Sequence, residues 1–195
     1  SGGLDVFYHA KDLSKGIFTE DCIKEIKKFE GKLQKFADYK TWCLKAETND
    51  EEVDCIVPLS PMNLFYSKGD GNGGNSSEVG VYTGGNTLLD IDFVLKAMVE
   101  TGVFWFSDND FGPKNLKSEL TRSHFDFGYR FKRDKTFVKK VLALKKKGNY
   151  YRWLEKLYDE FLATANEKEF KHVTMTFFEG NTLFDHEINE ALMHD

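Results

Sequence analysis

The residues in this 195-residue chain best equipped for covalent or metal chemistry are three cysteines and five histidines. Cys43 and Cys55 lie twelve positions apart in polar sequence, with the acidic stretch Glu47-Thr48-Asn49-Asp50-Glu51-Glu52 between them. A zinc site would need two further ligands, and no histidine stands at a finger-like spacing from this pair. The pair therefore reads as a disulfide, which implies an oxidising compartment. Cys22 falls on the apolar side of the opening turn of an amphipathic helix and reads as a buried free thiol. Nothing places a histidine beside it, so it is not assigned as a nucleophile. Asn75-Ser76-Ser77 forms a glycosylation sequon within a glycine-rich stretch, which makes Asn75 the expected glycan acceptor.

Other fragments imitate catalytic motifs and fail on their spacing. His186-Glu187-Ile188-Asn189-Glu190 opens like a zinc-protease helix, but Glu190 stands where the second histidine is required. Asp70, Asn72 and Asn75 resemble a calcium loop, yet Gly74 interrupts the ligand series and no glutamate closes it. Asp110-Phe111-Gly112 occurs without the glycine-rich and catalytic loops of a kinase. No nucleophile elbow, Walker loop or dinucleotide fingerprint is present. The sequence assigns no catalytic residue, no metal ligand and no cofactor, and the chain reads as a non-enzyme. The net charge of −5 argues against nucleic acid as a partner. The one dense basic run, Lys145-Lys146-Lys147, reads as a solvated helix end.

These residues need a scaffold, and hydrophobic periodicity supplies one. Leu4–Lys11 alternates and reads as a first strand. Thr19 caps a helix whose stripe is Ile23, Ile26, Phe29, Leu33 and Phe36, with Glu20 and Asp21 where the helix dipole favours them. Asn86 or Thr87 is the expected cap of a second helix, with Leu88, Ile91, Leu95, Met98 and Val99 on one face and Gly102 ending it. Glu119–Phe131 is the clearest strand. Its Ser123, Phe125, Phe127, Tyr129 and Phe131 oppose Arg122, His124, Asp126 and Arg130, a pattern suited to a sheet covered on one side. That polar set reads as the wet face of the sheet, with a lined site as the alternative.

A short helix is expected at 139–147 and a separate one capped by Asn149, with Trp153, Leu154, Leu157, Tyr158, Phe161 and Leu162 buried. His172–Phe178 closes the sheet, and Thr182–Asp195 reads as the start of another helix. Residues 67–77 read as a surface loop and Val79–Tyr82 as a small edge strand. Phe65, Tyr66, Tyr82, Phe104, Trp105 and Phe106 exceed what one sheet face needs. They are expected mostly in the core, and otherwise lining an apolar cavity or patch. The fold class is α+β: a two-layer split βαβ (ferredoxin-like) sandwich with helices on one face of a mainly antiparallel sheet. Ser1-Gly2-Gly3 reads as a cloning scar and residues 4–195 as a single domain. No run approaches the ~20 apolar residues of a membrane span.

Several stretches together resemble a known family. The first strand is followed by Leu13-Ser14-Lys15-Gly16-Ile17-Phe18-Thr19-Glu20-Asp21-Cys22. A helix with Lys28-Phe29-Glu30 comes next, then a cysteine shortly past it, and Cys55 before Pro58-Leu59-Ser60-Pro61. Lys117-Ser118-Glu119-Leu120-Thr121-Arg122-Ser123-His124-Phe125-Asp126-Phe127-Gly128 and the tail from Gly180 to Asp195 continue in the same order. The chain resembles the first extracellular domain of the eukaryotic resistance-nodulation-division (RND) superfamily, the Dispatched- and Patched-like proteins. It departs from the usual pattern where Tyr129 replaces a frequent proline.

The resemblance implies a multi-span parent with a second homologous extracellular domain, and residues 183–195 leading towards a transmembrane helix. It also implies a role in handling sterols, lipids or lipid-modified proteins on the extracellular or luminal side of a membrane. The family's gradient-sensing acidic residues belong to transmembrane helices, and no substrate-binding residue carries over. The alternative is a secreted or cell-surface binding module that recognises a protein or lipid through an aromatic patch.

Overall fold

The computed structural model describes residues 2–45, 55–66, 85–102, 107–128, 137–167 and 169–179, with the side chains of 137–144 set aside. Asn75, the 67–77 loop, Val79–Tyr82, Phe104–Phe106, residues 129–131 and the tail from 180 lie outside the described residues. The class is α+β, built on a three-stranded antiparallel sheet in the order β2-β1-β3. The central strand β1 (Gly2–Ala10) starts two residues before the expected Leu4. It is flanked by β2 (Leu120–Phe127) and β3 (Val173–Phe178).

Alternation sets the register, because a slip by one residue would turn every side chain to the wrong face. Leu4 stands opposite Phe125, and Val6 opposite both Ser123 and Phe177. Tyr8 stands opposite both Thr121 and Met175. Leu4, Val6, Tyr8 and Ala10 are all buried, as are Thr121, Ser123, Phe125 and Phe127. No further regular strand adjoins β2 among the described residues. Isolated bridges from Cys43 to Phe127, Leu59 to His124 and Ser107 to Thr121 cover that edge instead. An uncovered edge would be a template for pairing with another chain.

Helix α1 (Glu20–Leu33) lies on the buried face, capped by the Thr19 hydroxyl, which accepts from the Cys22 amide. Its stripe places Phe29, wholly buried, among the rings of Tyr8, Phe161, Phe170 and Phe177 at centroid distances of 5.3–6.1 Å. Two single turns follow, α2 (Tyr39–Trp42) and α3 (Met62–Phe65), and then α4 (Ile91–Thr101).

The cap of α4 is Asp90, whose carboxylate accepts from the Phe93 amide at 2.8 Å, and not Asn86 or Thr87. Before it the Leu89 amide donates to the Phe65 carbonyl, which holds the chain against α3 and keeps Leu88 out of the helix. Gly102 ends α4 at φ 71°, a conformation that costs a residue with a side chain about 1–2 kcal/mol.

The expected break before Asn149 is absent, because α5 (Phe137–Leu157) runs straight through Gly148 and Asn149. A glycine inside a helix costs only about 1 kcal/mol. Arg152 also reaches back to the Gly148 carbonyl and to Asn149 Oδ1. Helix α5 passes into a π-helical turn at Tyr158–Leu162. Trp153, Leu154, Leu157 and Leu162 are buried there, with Trp153 edge-on to Phe127 at 5.1 Å. Thus α1 and α5 cover one face of the sheet, and the other is left uncovered by both.

Candidate functional site: the uncovered face of the sheet

Because paired residues in neighbouring strands share a face, the register defines what the uncovered face presents. One row crosses four chain segments: Leu59, His124, Asp5 and Phe178. The next carries Arg122, Phe7 and Thr176. Leu59 is 53% exposed and Phe178 57%, so the row ends in apolar side chains at both edges.

Between them the His124 ring is held by carboxylates, with Nδ1 2.9 Å from Asp5 Oδ1 and Nε2 3.3 Å from Asp126 Oδ1. The ring lies over Gly3, where a Cβ would fall 2.3 Å from His124 Cε1. Glycine at that position leaves the space that the ring occupies. His9 Nε2 and Thr176 Oγ1 are 3.2 Å apart on the same face. Beyond Phe7 a cleft of about 490 Å³ opens between Leu120, Arg122, Ser107, Asp108 and Phe111.

This surface has apolar side chains at both edges and polar and charged ones at its centre. No group of three or more His, Cys, Asp or Glu side chains placed to hold a metal ion occurs among the described residues. Arg122, His124 and Asp126, taken from the sequence as one polar face, do share this face; Arg130 lies outside the described residues. Phe65 and Tyr66, of the aromatic set expected mostly in the core, are core residues. Phe111 of Asp110-Phe111-Gly112 packs edge-on against Phe18 and serves the core. Lys145, Lys146 and Lys147 are solvent-exposed on α5.

Cys43 and Cys55 are joined by a disulfide with Cα atoms 5.5 Å apart. The bond ties the end of α2 to the 55–66 segment, which carries Leu59 to the edge of the uncovered face. Cys22 is a buried free thiol that donates to the His172 carbonyl, and burial pushes its pKa up. Alkylation of the denatured, unreduced chain is therefore expected to label one cysteine, Cys22. Labelling of all three would contradict the bonded pair. Reduction is expected to cost about 3 kcal/mol of stability, given the short loop that the bond closes.

Two glutamates on α1 carry roles that the sequence reading missed. Glu25 accepts the amides of Lys171, His172 and Val173 at 2.8–3.1 Å and so fixes the entry to β3. Glu30 is buried, and its carboxylate accepts from Tyr8 Oη at 3.0 Å, Ser60 Oγ at 2.8 Å and Ser123 Oγ at 2.5 Å. Burial raises its pKa against the opposing pull of those hydroxyls. A signal did exist in the sequence. Glu30 is four residues after Ile26 and three before Leu33, on the border of the apolar stripe.

Comparison with known proteins places this geometry in context. The chain is 25% identical to protein dispatched homolog 3 of Homo sapiens over 206 aligned positions, which cover 97% of this chain and 13% of the human protein. The protein of the same name from Mus musculus gives 25% identity over 97% of the chain and 14% of its own length. The chain is thus distantly similar, from end to end, to a small part of a much longer protein. No protein-family model matches it. No helix among the described residues is long and apolar enough to cross a membrane.

Proposed function

We propose that this chain is an extracellular or luminal domain of a Dispatched- or Patched-like membrane protein of the RND type. The single observation that carries the reading is the alignment with dispatched homolog 3, which takes in 97% of the chain but 13% of the relative. The disulfide supports an oxidising compartment, and hence the extracytoplasmic side. On this reading the domain has no catalytic residue and holds no cofactor. It takes part in the passage or recognition of a sterol, a lipid or a lipid-modified protein. The uncovered sheet face, with Leu59 and Phe178 at its edges, would rest against a second homologous domain of the parent.

The same exposed pair favours a second reading, a secreted or surface module that recognises a protein or lipid directly. The sequence flanking this chain in its parent transcript separates the two. A run of ~20 apolar residues on each side supports the first reading. A stop codon soon after Asp195, or polar flanks on both sides, would overturn it in favour of the second.

A further inference from the structure

Positive charge is concentrated on helix α5. The helix carries seven of the 27 Lys and Arg but one of the 32 Asp and Glu, in a chain of net charge −5. Helix stability does not account for this bias, since no acidic residue stands in the first turn of α5, where the dipole favours one. Nor is Lys145-Lys146-Lys147 a solvated helix end, because α5 continues past it to Leu157.

The buried set Tyr150, Trp153, Leu154 and Leu157 fixes which way the helix faces. On a solvent-facing side Lys145, Asn149, Arg152 and Lys156 follow one another at steps of four, three and four, all of them exposed. Those steps keep them on one face, as a stripe about 16 Å long given the rise of a helix. Among the described residues the ion pair on this stripe is Lys156 with Glu160, at 3.9 Å and exposed on both sides. A pair of that kind contributes little and opens readily. Arg152 is steadied by neutral groups, the Gly148 carbonyl and Asn149 Oδ1, which hold its guanidinium without cancelling the charge. Lys145 has no carboxylate partner among the described residues. Helix α1 shows the contrast, because its own stripe of Lys24, Lys28 and Lys32 is paired with Glu20 and Glu169.

Cations set along a rod suit a linear polyanion, which gains by releasing its bound counterions as each charge is neutralised. A helix that lies on a membrane also needs apolar side chains exposed beside its cations. The exposed large apolar residues described are Leu13, Ile56, Leu59, Phe93 and Phe178, and none belongs to α5. The disulfide points to an oxidising compartment, where the linear polyanion at hand is a sulfated polysaccharide and not a nucleic acid. We propose that Lys145, Arg152 and Lys156 form a binding surface for a sulfated polysaccharide. The inference rests on the extracytoplasmic placement that both readings above share, and on neither reading's choice of parent.

Binding of the intact chain to immobilised heparin at about 0.15 M salt tests it. The combined variant Lys145→Gln, Arg152→Gln, Lys156→Gln is expected to bind at least about tenfold more weakly, with the slope of log affinity against log salt reduced by about three. The matched variant Lys24→Gln, Lys28→Gln, Lys32→Gln removes the same charge from α1 and is expected to bind nearly as the unsubstituted chain does. No binding to heparin, equal loss in both variants, or undiminished binding to desulfated heparin would overturn the proposal. So would tighter binding to phosphatidylserine vesicles than to heparin, which would assign the stripe to a membrane surface. Should the α5 variant fail to fold, backbone amide shifts of the unsubstituted chain titrated with heparin fragments decide the matter. Shifts centred on residues 145–156 support the surface, and shifts confined to other elements overturn it. The assay reads binding alone, so its failure would leave the extracytoplasmic reading standing.

Discussion

Phe29→Ala is expected to lower the stability of the folded chain by about 4 kcal/mol. Phe29 is wholly buried, and its ring meets Tyr8 of β1, Phe177 of β3, Phe161 of the π-helical turn and Phe170 before β3. Truncation removes apolar area from a site walled by four other rings. Those rings come from separate elements that cannot all move inward, so a cavity remains. Urea unfolding followed by tryptophan fluorescence measures the loss as a lower midpoint at constant slope. A loss below about 1 kcal/mol would mean that the aromatic cluster does not hold α1 to the sheet.

Glu30→Ala is expected to cost about 3 kcal/mol, because it strands the hydroxyls of Tyr8, Ser60 and Ser123 in the interior. Glu30→Gln keeps an acceptor for them and is expected to cost less. The pH dependence distinguishes the two roles of the carboxyl. Its folded-state pKa is raised above the unfolded value. Its contribution is therefore full below the ordinary glutamate range and is lost as pH rises through the raised value. The stability of the unsubstituted chain, measured against Glu30→Gln, should fall as the solution becomes more alkaline. A difference that grows with pH in favour of the native glutamate would mean that the hydroxyls outweigh burial.

Much of this fold is written in local periodicity. The three- and four-residue steps of Ile23, Ile26, Phe29 and Leu33 define α1, and the alternation from Thr121 to Phe127 defines β2 and its two faces. Where the pattern misled, a local cue was outweighed by tertiary context. Gly148-Asn149 looked like a helix boundary, yet α5 continues with Trp153 and Leu154 packed in the core. Asn86 and Thr87 looked like caps, but the Leu89 hydrogen bond to Phe65 delays α4 until Asp90.

The Glu30 cluster joins residues 22, 30 and 93 positions away from it. No window on a helix can show that a glutamate at the stripe's border will meet three distant hydroxyls. The uncovered face was half legible, since Arg122, His124 and Asp126 alternate on one strand. Their neighbours Asp5, Phe7, Phe178 and Leu59 become visible only when the pairing register is known.

Glycosylation mapping in the full-length parent tests most directly whether this domain stands outside the cytoplasm. Leu13, which is 56% exposed, lies in the turn between β1 and α1. Leu13→Asn with Lys15→Thr places a new acceptor sequon there, in a background of Asn75→Gln. The account predicts a glycan that an endoglycosidase removes, whether the parent resides at the cell surface or in an internal membrane. A membrane-integrated, folded parent left unglycosylated at position 13 would contradict it and place the domain in the cytoplasm.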